Sequence, residues 1–169
     1  MIIRPDWRFL LAHPAHFIAL GFGTGLAPVA PGTVGTLLGY PIYSLLAQWL
    51  DLPWMLGAIV ALFALGVWAC DHTGRAMGIA DHSGMVWDEV VAMLLILMVM
   101  PLIVPAGVAS WTAAFFLFRF FDVVKPPPIR YFDQTMKGGF GVMFDDLLAA
   151  FYTLLSLAIF HRIFPSVLS

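Results

Sequence analysis

Charged residues are scarce in this chain. Lys, Arg, Asp and Glu make up 11% of its 169 residues, while apolar residues make up 62%. A soluble domain usually carries about 25% charged and about 45–50% apolar residues. The shortage of charge therefore argues against an ordinary soluble domain. The length favours a single domain over residues 1–169, and the composition places it in a membrane.

Cysteine and the common metal or phosphatase signatures are scarce as well. The single cysteine, Cys70, excludes an internal disulfide and is expected to be a buried small hydrophobe at the end of an apolar segment. The five histidines are scattered, so no Cys/His spacing for zinc is present. The sequence has no P-loop, no Cys-x5-Arg phosphatase loop and no Asp-x-Asp motif. The N-terminus shows no cleavage site after a clean apolar run, so no removable signal peptide is expected.

The abundant feature is apolar segments of nearly membrane length. The segments at 33–49 and 53–70 are at the short end of what crosses a bilayer core, and they predict an antiparallel hairpin. The segments at 90–104 and 111–121 predict a second hairpin, and the segment at 147–164 predicts a last span. The fold prediction is all-α: an integral membrane helical bundle of about four to five transmembrane or re-entrant helices.

Polar residues, glycine and proline fill the segments between these spans. Residues 1–16 predict a short helix on the membrane surface. Glycine and proline oppose a regular helix over 21–31, and a helix is expected to start near Thr33, whose hydroxyl would satisfy the first free N–H groups. The second span is expected to run on to about Met77, and residues 122–144 are expected to form a loop.

The positions of the charges predict how the bundle is oriented. With five spans and a cytoplasmic N-terminus, seven of the eight basic residues lie inside and only Arg162 lies outside. Cytoplasmic segments of membrane proteins carry such an excess of Lys and Arg. Most acidic residues fall on the same side, so the predicted functional face is cytoplasmic.

Two acidic pairs open predicted spans on that face. Asp88 and Glu89 open the third span, and Asp145 and Asp146 open the fifth. Acidic residues at helix N-termini can simply satisfy free N–H groups and the helix dipole, which is the structural alternative to a functional role. Two pairs on one membrane face are harder to explain in this way, because capping needs only one side chain.

Asp122 does not fit the capping explanation. It follows the fourth span, at a helix C-terminus, where the dipole disfavours a negative charge. Arg119 and Lys125 lie three residues to either side, so a salt-bridged cluster is one explanation. A divalent cation shared with the two acidic pairs is the other. Mg²⁺ suits that role, because it is typically held by carboxylates together with substrate phosphate.

Weaker signals lie close to these charges. Lys137-Gly-Gly-Phe-Gly141 predicts a flexible loop whose backbone N–H groups approach a phosphate. Asp81 and His82 belong to a predicted turn just before the first acidic pair. For His82 a surface position is favoured, and a proton shuttle is the alternative.

The chain also resembles a known family in four segments, in this order: APGTVGTLLGYP (30–41), VWDE (86–89), FRFFDVVKPPPI (118–129) and GGFGVMFDD (138–146). As a set, they resemble the phosphatidylglycerophosphatase A family, over about residues 20–155. The resemblance implies an all-helical, Mg²⁺-dependent enzyme of the bacterial inner membrane. Such an enzyme removes the terminal phosphate of phosphatidylglycerophosphate and leaves phosphatidylglycerol.

The resemblance and the chemistry of phosphoesters together assign roles to the charged residues. Because the covalent phosphatase motifs above are missing, metal-activated water is the expected nucleophile, and an aspartate nucleophile stays open. The residues predicted to serve metal and water are Asp88, Glu89, Asp122, Asp145 and Asp146. The residues predicted to bind the substrate phosphate are Lys125, Arg119, Lys137 and Thr33, with Asp81 and His82 as acid/base or supporting groups. The expected partner is membrane lipid, and no nucleic acid partner is expected.

Two other classes of protein stay open from the residues alone. Intramembrane carboxylates with basic partners also occur in ion-coupled transporters. Charges at helix ends and the lack of an inverted repeat oppose that class. A non-catalytic membrane subunit would leave the cytoplasmic carboxylates unexplained.

Overall fold

Helices build the part of the chain that the structure describes, residues 4–165 and 167 of a computed structural model. No strand occurs in these residues, so the all-α prediction is confirmed. The α-helices are α1 (Trp7–Ala12), α2 (Pro14–Ala19), α3 (Pro31–Leu46), α4 (Leu52–Met77), α5 (Trp87–Val99), α6 (Val108–Val124), α7 (Ile129–Thr135) and α8 (Gly138–Ile163). Short 3₁₀ turns lie at Gly21–Leu26 and Met100–Leu102.

Two of these helices, α4 and α8, are long and apolar enough to cross a membrane. Each has 26 residues, which is about 39 Å at 1.5 Å per residue. The helices α3, α5 and α6 have 16, 13 and 17 residues and are shorter than the roughly 30 Å hydrocarbon core. A helical membrane protein is therefore supported, and the count of four to five spans stays a prediction.

Helix α5 lies at the centre of the bundle. It packs against α3, α4 and α8, and nearly all of its side chains are buried. A helix that is apolar around its whole circumference needs such an enclosed position. The first turn of α5 carries Asp88 and Glu89, so the fold places two carboxylates inside the bundle, at one of its ends.

Helices α4 and α8 approach each other closely because the start of α8 is rich in glycine. A Cβ atom on Gly139 would overlap the Val67 carbonyl oxygen and lie 2.8 Å from the Asp71 Cβ. The glycine run that we expected to be a flexible loop is therefore the packed first turn of a helix. Tertiary packing against α4 outweighs the low helix propensity of glycine here.

Because α8 starts earlier than predicted, the positions of Asp145 and Asp146 differ from the prediction. The last span begins at Gly138 rather than 147, so Asp145 and Asp146 lie in the third turn of α8 and not at its N-terminus. Free N–H groups occur only in the first turn, so neither residue caps the helix. The predicted loop at 122–144 is also wrong in part, because it contains α7 as well as the start of α8.

Other predicted boundaries agree with the structure. Helix α4 ends at Met77, where Gly78 takes a left-handed conformation (φ 78°) that suits glycine after a helix. Helix α3 begins at Pro31, close to the predicted start. The expected capping by Thr33 is wrong, because the N-cap residue of α3 is Ala30 in the left-handed region (φ 47°), and the described residues show no side-chain capping hydrogen bond there. The predicted N-terminal helix is present as α1 and α2.

Candidate active site

A charged cavity of about 340 Å³ opens at one end of the bundle. It lies where α3 and α5 begin, where α6 ends, and beside the third turn of α8. Its lining residues are Ala30, Pro31, Gly32, Asp81, Ser83, Met85, Asp88, Glu89, Arg119, Asp122, Val123, Lys125, Asp145 and Asp146. Six of them carry negative charge and two carry positive charge, so the cavity is built for a cationic ligand, a phosphate, or both.

Three buried carboxylates converge at this cavity. One oxygen each from Asp88, Glu89 and Asp146 lies within 4.8 Å of the other two. Glu89 Oε2 and Asp146 Oδ2 are buried and have no hydrogen-bond partner in the described residues. Negative charges this close repel strongly away from water unless a cation compensates them. The donor set, carboxylate oxygens without Cys or His, is the one that Mg²⁺ prefers.

Arg119 compensates the carboxylates on the α6 side of the cavity. Its Nη1 lies 2.6 Å from Asp122 Oδ2 and 3.3 Å from Glu89 Oε1. Asp122 is in the last turn of α6, where the helix dipole disfavours its charge, and Arg119 is one turn earlier. The salt-bridged cluster that we considered for Asp122 is thus present, and it shares Glu89 with the three converging carboxylates.

Lys125 provides the second positive charge of the cavity. It is the C-cap of α6 and takes a left-handed conformation (φ 45°), which is costly for a residue with a Cβ and is often kept for function. Its Nζ lies 2.6 Å from Asp133 Oδ1 and also pairs with Asp145. Burial alone would lower the pKa of the Lys125 ammonium, but the Asp145 and Asp133 carboxylates outweigh burial and raise it. Lys125 therefore stays positively charged.

The first turn of α3 closes over the paired charges because Gly32 lacks a side chain. A Cβ atom at this position would overlap Glu89 Oε1 and lie 3.0 Å from Arg119 Nη1. Pro31 has no N–H group, and the Thr33 and Val34 N–H groups already donate to the Ala30 carbonyl oxygen. The backbone N–H of Gly32 is therefore the donor that this turn offers to an anion next to the cavity. A phosphate group beside Arg119 would meet both the guanidinium and this helix N-terminus.

The structure brings most of the predicted site residues together. Eight of them line the cavity: Asp81, Asp88, Glu89, Arg119, Asp122, Lys125, Asp145 and Asp146. Lys137 instead lines a neighbouring cavity that also contains Asp81 and Asp133. Thr33 lies one residue beyond the lining turn of α3 and is not among the lining residues.

His82 points to a different place from its neighbour Asp81. It lines a separate cavity next to Arg4, and its Nδ1 accepts a hydrogen bond from the Gly84 backbone N–H at 3.0 Å. This bond closes the turn at 82–84, so the structure shows a structural role for His82. The favoured surface interpretation agrees with this position better than the proton shuttle does.

Sequence reasoning assigned no role to Gly32, Ser83 or Asp133. Gly32 has no functional group, and its importance is visible only once Glu89 and Arg119 are placed against it. Asp133 belongs to the charged stretch 119–146, but its pairing with Lys125 depends on α7, which was expected to be loop. The charge spacing between Lys125 and Asp133 was the only available signal.

Comparisons with known proteins show the family of the chain. The family model described as phosphatidylglycerophosphatase A matches residues 17–161. The chain belongs to the phosphatidylglycerophosphatase A family. It is 43% identical to the phosphatidylglycerophosphatase A of Haemophilus influenzae over 90% of the chain and 91% of that protein. It is 41% identical to the Escherichia coli protein of the same name, over 84% of the chain and 80% of that protein.

A third relative carries a different name. The chain is 39% identical to a Bacteroides thetaiotaomicron protein provisionally named phosphatidylinositol-3-phosphatase, over 84% of the chain and 90% of that protein. Both names describe the removal of a phosphate from a lipid head group. No solved structure matches the chain.

The segments that resemble phosphatidylglycerophosphatase A all reach the charged cavity. The segment at 30–41 provides Gly32, the segment at 86–89 provides Asp88 and Glu89, and the segments at 118–129 and 138–146 provide the remaining paired charges. Family resemblance and geometry therefore concern the same residues.

Proposed function

We propose that this chain is a Mg²⁺-dependent lipid phosphatase that hydrolyses phosphatidylglycerophosphate to phosphatidylglycerol and phosphate. The reaction takes place at the cytoplasmic face of the bacterial inner membrane. The observation that carries the proposal is the convergence of the buried carboxylates of Asp88, Glu89 and Asp146 at one end of an apolar helical bundle. Two of their oxygens have no hydrogen-bond partner among the residues that the structure describes. The names of two relatives at 41–43% identity support the substrate.

The residues present fit a magnesium ion. Asp88, Glu89 and Asp146 would hold it, because one oxygen of each lies close to the other two, and Glu89 Oε2 and Asp146 Oδ2 have no hydrogen-bond partner in the described residues. When bound, Mg²⁺ would neutralise phosphoryl charge and make a water molecule a stronger nucleophile. Asp122 and Asp145 are already paired with Arg119 and Lys125, so they belong to the positioning of these basic groups.

Arg119 and Lys125 hold the phosphate. Phosphoryl transfer depends mainly on positioning and on charge stabilisation of the phosphoryl oxygens. Both side chains line the cavity, and each is fixed by two carboxylates, which limits the freedom that binding would otherwise have to remove. The backbone N–H of Gly32, in the first turn of α3, adds a donor to the same anion site.

Water attacks the phosphorus in line with the departing glycerol oxygen, and a carboxylate of the cavity accepts the proton. We assign this proton to Asp145, which uses one carboxylate oxygen to position Lys125 and keeps the other for the proton. Its Oδ2 is held by Lys125, whereas its Oδ1 is buried without a partner in the described residues. The cavity is open, and Asp81 at its edge is exposed, so solvent reaches the departing oxygen. The glycerol oxygen therefore takes its proton from solvent.

The test is phosphate release by the purified protein in detergent with Mg²⁺. Phosphatidylglycerophosphate and phosphatidylinositol 3-phosphate are compared as substrates, since the relatives carry both names. We expect release from phosphatidylglycerophosphate, with the larger kcat/KM. Preference for the inositol lipid would overturn the substrate assignment. Release from neither lipid would overturn the phosphatase and favour a transporter or a non-catalytic subunit.

A further inference from the structure

A second cavity, which we call the apolar groove, lies between α3 and α6. It has a volume of about 350 Å³ and is lined by Leu37, Tyr40, Val108, Trp111, Thr112 and Phe115. The two hydroxyl groups in this lining are already used. Tyr40 donates to the Trp111 carbonyl oxygen at 2.7 Å, and Thr112 donates to the Val108 carbonyl oxygen at 2.7 Å. The groove therefore offers a ligand apolar surface and no free hydroxyl.

The apolar groove and the charged cavity lie on the same face of α6. Trp111, Phe115 and Arg119 follow each other at intervals of four residues, and Asp122 follows three residues later. Residues three and four apart lie on one side of a helix. Phe115 is one turn, about 6 Å, from Arg119, and Val108 is about 16 Å from it along the axis.

Helix α3 also has one face that joins the two cavities, but here the residue at the charged cavity comes first in the sequence. Gly32, Thr36 and Tyr40 share one face at intervals of four residues; Gly32 lines the charged cavity and Tyr40 lines the groove. Thr36 lies between them, with its Oγ1 3.5 Å from Arg119 Nη1. The groove thus begins one helical turn from Arg119, the basic group that we assign to the phosphate.

The groove is also open to the side. Leu37 is 51% exposed and Val108 is 83% exposed. Helix α3 packs mainly on α5, helix α6 packs mainly on α8, and α3 and α6 touch each other at few places. In the five-span arrangement that the sequence predicts, this opening would face the lipid phase, and an acyl chain would enter from the bilayer without crossing water.

We propose that the apolar groove binds one acyl chain of the lipid substrate while its phosphate lies at Arg119 and Lys125. This inference rests on the proposed function and deepens it, because it makes the enzyme selective for chain length. A phospholipid has the required shape: a phosphate, then an apolar chain that runs about 6 to 16 Å deeper along the same face. Leu37, Trp111 and Phe115 are then specificity residues.

The test compares kcat/KM for dioleoyl and dihexanoyl phosphatidylglycerophosphate in mixed micelles. Leu37→Trp and Thr112→Trp fill the groove from its two walls. Leu56→Trp is the matched control, because Leu56 is 49% exposed on α4 and does not line the groove. The wild type should prefer the dioleoyl lipid by about tenfold or more, since roughly two buried methylene groups already give a factor of ten.

Both groove variants should lose this preference and keep the wild-type activity on dihexanoyl lipid, while Leu56→Trp keeps the preference. Three results would overturn acyl-chain binding in the groove and leave the phosphatase activity intact. They are a wild type without chain preference, groove variants that keep the preference, and a control that loses it as much as the groove variants do. Two variants on different helices guard against a folding defect in one. No phosphate release from either lipid by the wild type would overturn the proposed function and the groove together.

Discussion

Among single residues, Asp146 separates catalysis from helix capping. It lies in the third turn of α8, so it has no capping role, and its Oδ2 is buried without a partner in the described residues. Asp146→Asn removes one of several close negative charges, so the variant should melt at the wild-type temperature or higher. Phosphate release should fall by about 10²–10³, the usual loss for a removed electrostatic group.

The control for this change is Asp51→Asn. Asp51 precedes α4 at the other end of the bundle, is exposed, and makes no capping hydrogen bond through its side chain. This variant should keep full activity and stability. If Asp146→Asn also keeps near-full activity, Asp146 is structural and the proposed metal ligands are wrong.

The sequence predicted the charged residues of the cavity better than their surroundings. Asp88, Asp122 and Lys125 converge because each lies near the end of an apolar segment, and segment ends can be read from hydropathy. Lys137 and His82 were predicted for the same site but line other cavities, because their directions depend on how the polar segments fold over the bundle. Gly32 could not be predicted as a site residue, because it has no side-chain functional group.

Gly32 gives a prediction that only the structure provides. In Gly32→Ala, the added methyl group overlaps Glu89 Oε1 and must displace the Glu89–Arg119 pair. A shift of about 1 Å at a reacting centre costs about 10²-fold in rate, and we expect a loss of this size in phosphate release. Gly57→Ala is the control, because a Cβ atom there would have no described residue within 4 Å. It should keep activity and gain up to about 1 kcal/mol of stability. Equal activities of the two variants would contradict the close approach of α3.

At the scale of elements, the apolar segments predicted the long helices but not every boundary. The end of α4 was found because Gly78 follows a periodic segment, which is a local signal. The start of α8 was missed because glycine-rich sequence predicts a loop, whereas contact between Gly139 and Val67 makes it helical. That contact joins residues far apart in sequence, so no local pattern reveals it.

Helix α2 packs on α4 through a buried histidine that makes stability depend on pH. His16 Nδ1 lies 3.0 Å from Thr73 Oγ1. Burial, and then the neighbouring His72 and His13, lower the pKa of His16. The folded state therefore prefers the neutral form, while the unfolded chain takes up a proton near the ordinary pKa of about 6.5. The contribution of His16 is full above that pH and is lost as the pH falls below it.

Melting in detergent at about pH 7.5 and at about pH 5.5 measures this contribution, because the two values lie on either side of the ordinary histidine pKa. His16→Gln is the comparison, since glutamine keeps a neutral hydrogen-bonding group next to Thr73. The wild-type melting temperature should drop more on acidification than that of the variant. Equal drops would show that His16 does not carry the effect.

The whole molecule has a charged end and an aromatic end. The cavity, the end of α4 and α7 lie at the charged end, while Asp51 lies at the other, between exposed Trp49 and Trp54. Tryptophan is common where a membrane protein meets the water interface. Reporter fusions after residue 78 and after residue 130 should both report the cytoplasm, and a fusion at Asp51 should report the outside. Opposite sides for the first two would rule out a single site.

Magnesium dependence tests the account of the whole molecule most directly, because it joins the buried carboxylates to the proposed reaction. Phosphate release from phosphatidylglycerophosphate is measured with excess chelator and again after Mg²⁺ is added, alongside Mn²⁺ binding by electron paramagnetic resonance. We expect no release in chelator, recovery with Mg²⁺, and Mn²⁺ binding that Asp146→Asn weakens and Asp51→Asn does not. Full activity in excess chelator, or Mn²⁺ binding that Asp146→Asn leaves unchanged, would contradict a metal-dependent reaction at the buried carboxylates.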